Sequence, residues 1–96
     1  MRKASTSYRE GLIKDLAKPE EAAAYLNAAL EDGTADIFLM ALRDIAEVQG
    51  MTRLSRKAKL NRESMYRMLS RKGNPQLSSL ASILNSAGLK LAVEVK

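Results

Sequence analysis

The sequence predicts a mainly α-helical fold: a bundle of five to six helices with a helix-turn-helix and a short C-terminal strand that pairs in a dimer. Three observations carry that expectation. Apolar residues recur at three- and four-residue spacings through most of the 96 positions, and Gly, Pro and Asn fall where helices must stop. The segment 51–76, MTRLSRKAKLNRESMYRMLSRKGNPQ, reads as two short helices around a tight turn and holds eight Lys/Arg against a single carboxylate, Glu63. The closing residues LKLAVEVK instead alternate apolar and polar side chains, the period of a strand.

Taken in order, Tyr8, Leu12, Ile13 and Leu16 have helical spacing, weakened by Gly11. Pro19 suits the first turn of a helix over 19–31, and Glu20 and Glu21 place negative charge where a helix N-terminus favours it. That helix presents Ala22, Tyr25, Leu26, Ala29 and Leu30 on one side, and Gly33 suits a left-handed residue just past its end. Thr34 can cap a helix over 35–49, whose Phe38, Leu42, Ile45 and Ala46 form the apolar stripe and which Gly50 stops. A short helix over 52–58 and a turn at 59–61 follow. The next helix runs from Arg62 to about Ser70 with Asn61 as its N-cap. Gly73-Asn74-Pro75 breaks the chain again, and Leu77, Leu80, Ile83, Leu84 and Ala87 mark a last helix ended by Gly88. The organisation expected is an N-terminal helical extension over 1–33, a DNA-binding domain over 34–88 and a dimerising strand over 89–96.

Composition narrows the function classes. Hydrophobic residues make up 46% of the chain, enough for one packed core, and a chain this short often gains stability by dimerising. There is no Cys and no His, which removes thiolate nucleophiles, imidazole bases and the usual zinc ligands. No paired carboxylates occur in a recognisable motif, so the expectation is a protein that is not an enzyme and needs no cofactor or metal. Lack of disulfides fits a reducing cytoplasm. The basic N-terminus has no apolar run behind it, and no apolar stretch approaches a membrane span, so a cytoplasmic protein is expected. Four aromatic residues are too few for single-stranded nucleic-acid stacking platforms.

The charge distribution points to double-stranded DNA. Outside 51–76 the chain carries eight basic and ten acidic side chains, so nearly all of its net charge of +5 lies in the candidate helix-turn-helix. At about 100° per residue, Arg62, Glu63, Tyr66, Arg67 and Ser70 share one arc, and Ser64, Met65, Met68 and Leu69 share the opposite one. In a major groove Arg62 and Arg67 can each grip a guanine's O6 and N7, and Glu63 can accept from a cytosine amino group. Glu63 and Arg67, four apart in the favourable order, can equally pair with each other, worth about 0.2–0.5 kcal/mol. Tyr66 can offer its hydroxyl to a phosphate or pack on the helix flank. Arg53, Arg56, Lys57, Lys59, Arg71, Lys72 and Asn74 surround the helix as candidate backbone contacts, and a solvated basic face has the same composition.

A single strand cannot satisfy its own backbone, and the simplest partner for the tail is the same tail of a second molecule. Antiparallel pairing centred on Ala92 sets Lys90 opposite Glu94 and leaves Leu89, Leu91, Val93 and Val95 on one face. The alternative is a tail folded back on its own core.

These residues resemble the phage-repressor (Xre-like) helix-turn-helix family. Leu54-Ser55 stands where Leu-Ala is usual, and Lys59 replaces the usual glycine of the turn. PEEAAAYLNAALEDG at 19–33, FLMALRDIAEVQGM at 38–51, LNRESMYRMLSRKGNPQLSSL at 60–80 and AGLKLAVE at 87–94 together look like the small addiction-module antidote proteins. That resemblance covers about residues 8–95. It implies an antitoxin encoded beside an mRNA-cleaving toxin of the RelE/HigB type, and autorepression of the shared operon by a dimer on operator DNA. It also implies DNA-facing roles for Arg62, Glu63 and Arg67. Residues 1–50 carry a net charge of −3, which suits a basic toxin or is simply a solvated helix face. A stand-alone repressor and a protein-interaction module are the competing readings.

Overall fold

Five helices follow one another in the computed structural model, which describes residues 15–96: α1 (Pro19–Asp32), α2 (Ala35–Gln49), α3 (Met51–Ala58), α4 (Arg62–Met68) and α5 (Leu77–Ser86). The helix expected over 8–16 lies outside the described residues except at its end, where the Asp15 carbonyl accepts from the Lys18 amide and Leu16 is buried. Among the described residues there is no strand. The tail 89–96, expected as a strand, is irregular in the single chain.

The helix boundaries follow their sequence signals closely, and the differences have local causes. Gly33 is extended (φ −130°) rather than left-handed; it is needed because a Cβ there would come within 2.8 Å of both the Ala29 carbonyl oxygen and the Ile37 Cβ. Thr34 occupies the N-cap of α2, but its hydroxyl donates to the Asp36 carboxylate and leaves the helix amides uncapped. Gly50, at φ 106°, both ends α2 and opens α3.

α1 packs along α2, α2 meets α3, and α3 packs on α5 and α4. The shared core comprises Ala22 and Leu26 of α1, Leu42 and Ile45 of α2, Leu54 of α3, and Met65, Leu69 and Ile83 beyond the turn. Because α2 is flanked by two helices, its buried arc is wider than one stripe and takes in Leu39 and Ala41 as well. Tyr25 fastens α1 to α2 by donating its hydroxyl to the Asp44 carboxylate at 2.8 Å. Two apolar positions of the expected stripes stay in solvent: Leu77, in the first turn of α5, and Leu30, at the far end of α1.

Candidate nucleic-acid interface

The α3–turn–α4 unit is built by one short sequence with two jobs. On the inner side Met51, Leu54 and Ser55 of α3 are buried, and the Ser55 hydroxyl donates to the Thr52 carbonyl at 2.9 Å, so the small residue at the crossing leaves no unpaired polar atom. On the outer side Arg53, Arg56 and Lys57 are exposed. The turn closes as a Schellman motif: the Leu60 amide donates to the Ser55 carbonyl at 2.9 Å and the Lys59 amide to the Arg56 carbonyl at 3.2 Å. Lys59 takes the left-handed conformation this requires (φ 58°), alone in that respect among the described non-glycine residues. Replacing the glycine usual at that position therefore keeps the turn and strains it.

Asn61 then starts α4 as its sequence suggests, its Oδ1 accepting from the amides of Glu63 at 2.8 Å and Ser64 at 3.3 Å. Met65 and Leu69 have no solvent exposure. Arg62, Glu63 and Arg67 are exposed on the other side. No ion pair joins Glu63 to Arg67; the Arg67 guanidinium donates to the Ser64 hydroxyl at 3.2 Å instead. Beyond the helix the Ser70 hydroxyl caps the Arg67 carbonyl at 2.8 Å, and the chain doubles back at Gly73. A Cβ on Gly73 would stand 2.1 Å from the Met68 carbonyl oxygen, so only glycine lets the segment bearing Arg71, Lys72 and Asn74 close against α4.

Tyr66 is half-buried on the flank of α4 and is approached by two guanidinium groups: Arg62 at 5.5 Å from the ring centroid and Arg43 at 5.1 Å. Both distances are cation–π contacts. Arg43 belongs to α2, where it also lies 4.0 Å from Glu47, and it was not among the sequence candidates. Its signal was faint: it is the lone basic residue of 19–50, among seven carboxylates. The fold thus extends the basic edge beyond the segment 51–76.

The other basic residues do not converge on one pocket. Lys57 and Lys59 border a groove with Ser82 and Asn85 of α5, and Arg53 shares another with Gln49 and Gly88. Arg71 lines a third, beside Asp36 and Asp44. These basic side chains are spread over several exposed grooves rather than gathered in one pocket. In the tail, Leu89 packs on the core, while Lys90, Leu91, Val93, Glu94 and Val95 are exposed. Among the described residues no group of three His, Cys, Asp or Glu side chains is placed to hold a metal ion, and no helix is long and apolar enough to cross a membrane.

Fold and surface define a class: a small, mainly helical protein with exposed basic side chains around α3 and α4 and an uncovered C-terminal tail. More particularly, the chain belongs to the family described as "probable addiction module antidote protein", which it matches over residues 9–95. It is 33% identical over 83 residues to an "uncharacterized protein" of Haemophilus influenzae, with 86% of each chain covered. No solved structure matches the chain. An antidote family implies a toxin partner and a regulatory role.

Proposed function

We propose that this protein is a sequence-specific DNA-binding antitoxin. It neutralises a RelE/HigB-type mRNA-cleaving toxin and, as a homodimer on operator DNA, represses the operon that encodes both. Its reading unit is a phage-repressor-like helix-turn-helix made of α3, the turn at 59–61 and α4. The observation that carries this reading is the two-sided build of α4 in a member of an antidote family: Met65 and Leu69 lock it to the core while Arg62, Glu63 and Arg67 remain exposed.

In the major groove Arg62 and Arg67 grip guanines through paired hydrogen bonds, and the unpaired Glu63 carboxylate accepts from a cytosine amino group. Stacking on Tyr66 limits the rotamers open to Arg62 before DNA arrives, which lowers the ordering cost of binding. Arg53, Arg56, Lys57, Lys59, Arg71, Lys72 and Asn74 hold phosphates and set the register without reading sequence.

The toxin takes the acidic face of α1 and α2. A groove of about 400 Å³ there is lined by Ile37, Met40, Asp36 and Asp44 of α2, with Arg71 also on its wall. Ile37→Ser should weaken toxin binding more than DNA binding, which shares only Arg71 with this groove; loss of neither sends the toxin elsewhere. Removing residues 1–33 is a poor test, because Ala22 and Leu26 belong to the common core.

Co-purification with the product of the adjacent gene, followed by footprinting on their shared promoter, tests the whole reading. A captured toxin and a protected operator are expected. A protected operator without a toxin leaves a stand-alone repressor, and a toxin without protection leaves a protein-interaction module.

A further inference from the structure

Among the described residues the two most exposed large apolar side chains, Val93 and Val95, lie in the tail, and Leu91 and Leu30 stand on the groove beside it; Leu77 and Ile37 are exposed elsewhere. Val93 and Val95 are 98% and 102% exposed, Leu91 is 45% exposed and Leu30 of α1 is 59% exposed. Leu30 and Leu91 border a single groove of about 210 Å³, floored by Leu26, Phe38 and Leu84 and walled by α1 on one side and the tail on the other. The tail is anchored at its start: the Leu89 amide donates to the Leu84 carbonyl at 2.8 Å, and a Cβ on Gly88 would lie 3.5 Å from Pro19. It therefore leaves α5 near the beginning of α1 and runs beside that helix towards Leu30.

Charge and apolar patterning select one register for two such tails. Antiparallel pairing about Ala92 sets Lys90 opposite the partner's Glu94 twice by symmetry, with Leu91 opposite the partner's Val93 and Leu89 opposite the partner's Val95. Centring on Val93 sets Lys90 against the partner's Lys96. A shift by one residue mixes polar and apolar side chains on each face. Pairing two strands alone is still not enough. A two-stranded ribbon is marginal in water, and stable interfaces bury about 1,200–2,000 Å² in total.

Building on the dimeric reading above, we infer that the groove between α1 and the tail is the seat of the second copy's tail. The partner's strand inserts between tail and helix. Its Val93 turns onto Leu26 and Phe38, and its Leu91 meets Leu30. Each copy both gives and receives an arm, so Leu30, Leu91, Val93 and Val95 of each chain are covered together.

Two sets of variants test this by sedimentation equilibrium, with circular dichroism to check the helices. Lys90→Glu and Glu94→Lys, made singly, put like charges opposite each other and should each weaken dimerisation; the double exchange should restore it. Leu30→Asp, at a position exposed in the single chain, should leave the fold unchanged and weaken dimerisation at least about tenfold, because it buries a charge against apolar side chains. Restoration by the double exchange with wild-type dimerisation of Leu30→Asp overturns the groove assignment while the dimer stands. A Leu30→Asp protein that dimerises normally but no longer binds toxin gives the groove to the toxin and also overturns it. A wild-type chain that stays monomeric removes the dimer and the groove assignment together, with operator binding by α4 a separate matter.

Discussion

α4 and the C-terminal tail are both short, both amphipathic in sequence, and they finish differently. α4 finds everything it needs within the chain: Asn61 caps it, and Met65 and Leu69 are sealed in the core. The tail leaves Val93 and Val95 in solvent and forms no ladder. The cause is the hydrogen-bonding period. A helix closes its backbone bonds four residues along the same chain, so an apolar stripe and a cap complete it. A strand has to find its partner elsewhere, so the same amount of patterning specifies only which face it will bury. In this protein the surface assigned to DNA is set by the single chain, whereas the surface assigned to a second copy is set only by association.

The sharpest way to break that contrast is to truncate one apolar residue on each side of it. Met65→Ala removes a side chain with no solvent exposure and should cost about 2–5 kcal/mol, seen as a lower urea midpoint. Val95→Ala should change the stability of the dilute single chain by less than about 0.5 kcal/mol, because nothing in that chain covers it. Comparable losses would mean that the tail is packed on its own core after all.

Asn61→Ala probes the cap alone. It leaves two α4 amides without their acceptor and should cost about 1 kcal/mol, with faster hydrogen exchange first at the amides of Glu63 and Ser64. An unchanged midpoint would move the start of α4's stability from the cap to packing. The smallest effect has the opposite sign. Lys59→Gly relieves a left-handed non-glycine residue and should stabilise the protein by about 0.5–1 kcal/mol, while removing one phosphate contact and flattening the salt dependence of DNA binding by roughly one unit of slope. A destabilised Lys59→Gly would show that the turn depends on the lysine side chain.

Much of this was legible in the sequence because helix signals are local. Pro19, Asn61, Gly50 and Gly88 mark ends that the structure keeps, and the two arcs of α4 separate as the residue order predicts. What escaped depends on contacts between distant positions or on competition between near neighbours. Arg43 of α2 reaches the Tyr66 ring of α4 only in the folded chain, and their separation of 23 positions puts the pair beyond any local sequence signal. Leu30 falls on the apolar side of α1 yet borders a groove, since periodicity names a face without saying how far the neighbouring helix extends. Thr34 has the identity of a cap and stands at the N-cap, but its side chain accepts from no helix amide. Lys59 stands at the turn's usual glycine position, yet a lysine does not itself announce the left-handed backbone it adopts. For the candidate site, the exposed residues of 51–76 were identified and their dispersal over several grooves was not.

The claim that α4 reads DNA sequence is tested most directly by competition binding, at fixed salt, between the protein's own promoter and random DNA for wild type, Arg67→Ala and Arg56→Ala. Arg67→Ala should lose about 1–3 kcal/mol of operator binding and relax preference at one base position. Arg56→Ala should weaken binding to both DNAs alike. An Arg67→Ala protein that keeps the wild-type preference for the operator would contradict the assignment of base reading to this arc.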